Sequence, residues 1–252
     1  MNHRSRTRRR TLGITLAPLL ALAGCGAGDE ARPDDRTSVA ARQREPWPGV
    51  APEEALEMAA NPLVANYYVI LDGSGSMRER DCTQGSTKVE DAKAALGEFV
   101  QAMPEDANVG LLVFDSGGVG ERVPLGGGNR EWFIARVNSV VADAGTPLRT
   151  AIEKGYEALT AQAQTQRGYG EYNLVIVTDG AASPGEDPSA VIEEILGNSP
   201  VVIHTIGFCI GSDHVLNQAG RTIYRAANNS QELRAGLGAV LAEAPAFDVS
   251  QF

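Results

Sequence analysis

From Asn66 onward the chain alternates between two kinds of segment. Apolar runs of strand length occur at YYVIL (67–71), VGLLVF (109–114), NLVIVT (173–178) and VVIHTIGF (201–208), with a shorter one, RTIYRA, at 221–226. Helix-length segments lie between them: KVEDAKAALGEFVQAM (88–103), NREWFIARVNSVVA (129–142), PLRTAIEKGYEALTAQAQ (147–164) and DPSAVIEEIL (187–196). In the first of these, Val89, Ala92, Leu96, Phe99 and Val100 share one helical face. Strands that are apolar nearly throughout must be covered on both sides, so the pattern predicts an α/β domain: a doubly wound, mostly parallel sheet with helices on both faces. Ligands on such sheets bind beyond the carboxyl ends of the strands.

Those strand ends carry oxygen. The first strand runs directly into Asp72-Gly73-Ser74-Gly75-Ser76, and NLVIVT ends on Asp179 followed by Gly180. The loop before the third helix reads Asp143-Ala144-Gly145-Thr146-Pro147-Leu148, which puts a threonine at a helix start. If the three loops meet on one rim, Asp72, Ser74, Ser76, Thr146 and Asp179 offer two carboxylates and three hydroxyls. All are hard donors, with no imidazole or thiolate among them, so the set suits an octahedral hard cation completed by water. The glycines in DGSGS let the backbone turn sharply while successive hydroxyls face one side.

DGSGS at 72–76, GTPL at 145–148 and VTDG at 177–180 together resemble the three segments of the metal-ion-dependent adhesion site of von Willebrand factor type A domains. Each motif alone is weak; the three in this order, on this strand–helix pattern, are specific. The resemblance covers about residues 64–245. It implies that Asp72, Ser74, Ser76, Thr146 and Asp179 hold the metal directly or through water, with Mg2+ expected and Mn2+ or Ca2+ compatible with the same ligands. It also implies a protein partner whose carboxylate fills the remaining coordination position. One departure stands out: CIGSDHVLNQAG (209–220) is shorter than the family's usual helical connection, and a truncated helix or irregular loop beside the metal rim is expected there.

The N-terminus reads as an address label. MNHRSRTRRR is a basic start, and TLGITLAPLLALAG is an apolar run of signal-peptide length, short for a membrane span. It closes on Leu22-Ala23-Gly24-Cys25, which resembles the lipobox of bacterial lipoproteins, where the signal (1–24) is cut and Cys25 becomes lipidated. Gly26, in place of an aspartate, favours the outer membrane over inner-membrane retention, so the expected location is the bacterial cell envelope, anchored by lipid and facing the periplasm. Residues 25–63 then form a polar, proline-rich tether with a short helix possible at 52–60, and 246–252 form a C-terminal tail. The first 24 residues hold five arginines, so removing them from 22 basic and 32 acidic residues leaves 17 against 32, a balance of −15. Such a charge argues against nucleic acid as a partner and suits a chain that attracts cations.

Enzymatic readings fare poorly. Ser74 or Ser76, Asp179 and His214 follow the chain order of an α/β-hydrolase triad, but neither serine sits in G-x-S-x-G, and Asp72 would oppose an oxyanion. GSGSM is not followed by lysine at phosphate-loop spacing, and Gly126-Gly127-Gly128 reads as a turn. His204 lies within an apolar strand and reads as a hydrogen-bonded core residue; Trp132 and Phe133, at helical spacing with Val137, also read as core. With Cys25 assigned to lipid, Cys82 and Cys209 remain in an exported chain. Both follow strands at the carboxyl rim, and in the type A fold those strands are separated by one other, so a Cys82–Cys209 disulfide is expected. The sequence therefore points to a non-catalytic, lipid-anchored binding module. The alternatives are an assembly or accessory factor for an envelope complex and, more distantly, a serine hydrolase.

Overall fold

The computed structural model describes residues 46–49 and 57–243. The signal segment, Cys25, most of the tether and the 246–252 tail lie outside the described residues, as do 52–56 of the short helix expected at 52–60; its last four residues, 57–60, are not helical.

Six strands form one sheet in the order β3-β2-β1-β4-β5-β6. The strands are β1 (Ala65–Asp72), β2 (Asn108–Asp115), β3 (Gly118–Gly126), β4 (Glu171–Thr178), β5 (Val202–Phe208) and β6 (Ile223–Ala227). All neighbours pair in parallel except β2 with β3, an antiparallel edge whose register shifts near Leu111. The expected sheet is therefore present, with one antiparallel margin added.

Five helices cover the sheet: α1 (Lys88–Ala102), α2 (Arg130–Asn138), α3 (Leu148–Thr165), α4 (Ser189–Asn198) and α5 (Ser230–Glu243). Because successive strand residues point to opposite faces, β1 feeds two separate cores. Tyr67, Val69 and Leu71 pack with α1, α2 and α5, through residues such as Leu96, Phe133 and Leu237. Tyr68 and Ile70 pack with α3 and α4, through Leu148, Ile152 and Ile192. The five residues expected on one face of α1 are all buried. Thr87 starts that helix with a reciprocal cap: its hydroxyl accepts from the Glu90 amide, while Glu90 accepts from the Thr87 amide at 2.7 Å.

Trp132 departs from expectation. It is 42% exposed, with the Arg136 guanidinium 5.9 Å above its ring, while Phe133 and Val137 alone carry the buried face of α2. Trp132 lies about 100° round the helix from Phe133 and about 140° from Val137, so with those two facing the core it faces outward on the side of Arg136.

At the amino end of the sheet, Asn66 is fully buried and donates to Val64 O, Gln166 Oε1 and Glu171 O, while accepting from Asn108 Nδ2. Nearby, Trp47 meets Tyr172 edge-on at 4.8 Å and donates to Thr160 Oγ1. Among the described residues no helix is long and apolar enough to cross a membrane.

Candidate metal centre

Three loops close on one another beyond the carboxyl ends of β1 and β4. Gly73 donates to Phe114 O, its carbonyl accepts from Asp143 N, and Gly75 N donates to Ala144 O at 2.9 Å. Gly73 must be glycine here: a Cβ would lie 2.8 Å from both Phe114 O and Asp115 Cβ. The Thr146 loop is then tied to the loop after β4, because Ser183 N donates to Thr146 O and Ser183 Oγ accepts from Thr146 N, each at 2.9 Å. After Ser74 the chain enters a 3-10 turn, Gly75–Arg78, held down by fully buried Met77.

This scaffold brings the five predicted residues together. Ser76 Oγ donates to Asp179 Oδ1 at 2.7 Å and lies 3.0 Å from Ser74 Oγ. Asp72, fully buried, accepts from Ser74 N on Oδ1 and from Thr178 Oγ1 on Oδ2, at 2.7 and 2.6 Å. A Cβ built on Gly180 would sit 3.7 Å from Ser76 Oγ and 3.9 Å from Thr146 Oγ1, so both hydroxyls face the same space. Burial pushes the Asp72 carboxyl up to about 6; its hydrogen bonds from Ser74 and Thr178 pull the other way, and the charge of Asp179 adds to the rise. A buried carboxylate held this far from its ordinary range, beside hydroxyls and a second carboxylate, fits a divalent ion bound through oxygen.

Two participants escaped the sequence reading. Thr178, the threonine of VTDG, orients Asp72 through its hydroxyl. Lys88 stands at the start of α1, where a surface charge is the ordinary expectation, yet its side chain is only 4% exposed. Its ammonium lies 3.0 Å from Asp179 Oδ2, 3.1 Å from Glu79 Oε2 and 3.2 Å from Asp81 Oδ1. Burial alone would lower its pKa, but these carboxylates outweigh it and hold the ammonium above its usual range. No local motif marks such a lysine.

The histidines settle into other roles. His214 Nε2 lies 3.0 Å from Gly180 O, and its ring stacks on Tyr224 at 6.0 Å, so it braces the loop after Asp179. Its loop, 209–222, is irregular and contains no helix. His204 is buried with Nε2 3.2 Å from Asn173 Oδ1, but its Nδ1 lacks a hydrogen bond, so it is only half satisfied.

The expected Cys82–Cys209 disulfide is not formed; both are free cysteines. The loops do bring them together as anticipated, with β1 and β5 separated by β4. The Cys209 thiol, however, is directed to Asp81 O at 3.2 Å. Burial, then the neighbouring Cys82, pushes the Cys209 thiol well above its usual range.

Sequence comparison agrees with this arrangement: residues 67–181 match the von Willebrand factor type A domain family. Residues 67–181 carry the von Willebrand factor type A signature. A 175-residue stretch is 28% identical to the uncharacterized protein YwmD of Bacillus subtilis (strain 168), covering 63% of this chain and 73% of that protein. The fold is shared with an aerotolerance-related membrane protein from Bacteroides fragilis NCTC 9343, at TM-score 0.55 and 18% identity over 70% of this chain and 98% of that one. It is also shared with proximal thread matrix protein 1 of the mussel byssus, in a structure with a zinc-occupied adhesion-site motif. There the TM-score is 0.56 and the identity 17%, over 74% of this chain and 48% of that one.

Proposed function

We propose that this type A domain is a non-catalytic binding module that takes up one Mg2+-class ion and uses it to engage a protein partner. The observation that carries the reading is the convergence of Asp72, Ser74, Ser76, Thr146 and Asp179 on one rim, each from a loop cross-braced to the next. When bound, a divalent ion supplies positive charge that a partner's carboxylate can share, offsetting repulsion from an acidic surface. The chain's own residues prepare for it. Ser74 N and Thr178 Oγ1 aim Asp72, and Ser76, by donating its hydroxyl proton to Asp179 Oδ1, keeps its own oxygen lone pairs available to an ion. Lys88 keeps one Asp179 oxygen occupied.

The lipobox at Leu22–Cys25 supports display on a lipid attached to Cys25 in the bacterial cell envelope, with the outer membrane favoured by Gly26. Calorimetric titration with Mg2+ or Mn2+ tests the site. One binding event per chain, abolished in Asp72→Ala, is expected; no binding by the intact chain, or binding confined to zinc, overturns the reading. Partner capture that persists undiminished in chelator and in Thr146→Ala overturns metal bridging.

A further inference from the structure

The rim holds a second cluster of different chemistry. The ligand-capable atoms of Asp81, Cys82 and Cys209 all lie within 4.8 Å of one another. They come from two segments that meet only in the fold: the loop leading to α1, and the residue directly after β5. Both cysteines adopt the left-handed backbone region, with φ of 62° at Cys82 and 61° at Cys209. That conformation is uncommon for a residue with a Cβ and persists where the surroundings impose it. Cys209 is fixed at both ends: its amide donates to Ala227 O at 2.8 Å and its thiol to Asp81 O.

We propose that Asp81, Cys82 and Cys209 form a second metal site, selective for a thiophilic divalent ion such as Zn2+. Two thiolates and a carboxylate are a zinc-type donor set, and three protein ligands leave the fourth tetrahedral position to water or to a partner's side chain. Tetrahedral bonds of about 2.3 Å to sulfur and about 2.0 Å to oxygen set the ligand atoms roughly 3.5–3.8 Å apart. The cluster needs only a small contraction from its present spacing to meet that geometry. Charge also closes: two thiolates and one carboxylate bring three negative charges, a divalent ion supplies two positive ones, and the Lys88 ammonium stands 3.2 Å from Asp81 Oδ1. On binding, each S–H bond is replaced by an S–metal bond and the proton leaves to buffer, with no change of oxidation state.

This site shares no ligand with the oxygen-lined one. A hard ion gains little from sulfur, and a thiophilic ion gains most from it, so the rim would sort two ions by ligand chemistry. Lys88 touches a carboxylate in each, Asp179 and Asp81, and is the physical link between them.

The test uses the full-length chain, reduced with a phosphine that is then removed, and titrated with Zn2+ and with Co2+ as an optical stand-in. One equivalent of Co2+ should produce a thiolate-to-cobalt absorption band that Zn2+ bleaches and excess Mg2+ leaves intact. Cys82→Ser and Cys209→Ser should each weaken binding by more than the roughly 10–100-fold that loss of an outer-shell partner costs, while Asp72→Ala leaves it unchanged. Zn2+ should also shield both thiols of the unaltered chain from alkylation, as mapped by mass spectrometry, so the result does not depend on the cysteine variants folding. The proposal is overturned by absence of the band, or by zinc uptake that follows Asp72 rather than the cysteines. Thiols that alkylate equally fast with and without Zn2+ overturn it as well, as does a native Cys82–Cys209 disulfide that the phosphine does not open. Zinc bound at the cysteines in a chain that fails to bind Mg2+ would uphold this site while sinking the oxygen-lined one.

Discussion

The Lys88 ammonium lies 3.0 Å from Asp179 Oδ2, and neither side chain has meaningful access to solvent. Two charges this deeply placed are stable only as a pair, because each desolvated ion alone costs several kcal/mol. In the metal-free domain Lys88 is thus the internal cation that the carboxylates require. Replacing it as Lys88→Met should destabilise the metal-free protein by about 3–5 kcal/mol, the range for a broken buried pair. The same change removes positive charge from the rim, so Mg2+ should bind more tightly and restore most of the loss. Thermal unfolding with and without Mg2+ checks both halves; an unchanged midpoint in the absence of metal contradicts the pairing.

Asp72 leads to the opposite expectation. Its folded pKa, raised to about 6, lies above that of the unfolded chain. Its contribution to stability is therefore complete below the unfolded value near 3.8 and is lost as pH rises through 6. At neutral pH the metal-free domain carries an unfavourable buried charge, and Asp72→Asn should raise its stability by roughly 1–3 kcal/mol while abolishing the Mg2+-induced shift. Denaturant unfolding at pH 7 and pH 4 should show the gain only at the higher pH.

His204 carries the reverse sign. Burial, with the Arg225 charge, lowers its pKa to about 4 despite the Glu243 carboxylate nearby. A depressed folded value means stability is fully present above about 6.5 and drains away as pH falls through 4, by on the order of 3 kcal/mol. His204→Gln keeps a neutral hydrogen-bonding partner for Asn173 and should flatten the acid limb of the unfolding profile between those values. Equal acid sensitivity in both proteins would place the titration elsewhere.

Gly73→Ala tests the scaffold without touching a ligand. Its methyl group would meet backbone at 2.8 Å, where no flexible side chain can yield. Overpacking of this kind costs about 1–3 kcal/mol, and the displaced loop should weaken Mg2+ binding as well. Calorimetry showing wild-type affinity in a destabilised Gly73→Ala protein would show that the loop absorbs the strain away from Asp72.

Much of this architecture could be read from the chain because its main signals are local. Strands such as NLVIVT are apolar on both faces, and helices such as 88–103 present one clean stripe, so the parallel core followed from period alone. The five candidate oxygen ligands stood out because each follows a strand or precedes a helix at the same rim. Strand β3 did not stand out: GVGERVPLG alternates weakly, contains proline and buries only Val123, since an edge strand needs little burial. Lys88 was invisible for a different reason. Its partners at positions 79, 81 and 179 converge only after α1 packs, and nothing at position 88 itself encodes them. Trp132 faces outward because it stands five residues before Val137, about 140° round the helix, whereas Phe133, at i, i+4 with Val137, shares its buried face. The cysteines were correctly brought together, but proximity does not by itself determine which bonds sulfur makes.

The docking of Trp47 against Tyr172 and Thr160 has a mechanical consequence. It pins the incoming chain at the amino end of β4, whereas the oxygen rim lies past the carboxyl ends of β1 and β4. An eight-residue strand at about 3.3 Å per residue separates the two by roughly 26 Å. A pull exerted between the upstream sequence and a partner held at the rim would therefore run along the strand axis. The parallel β1–β4 ladder would be loaded in shear, with its hydrogen bonds bearing the force together rather than opening one after another.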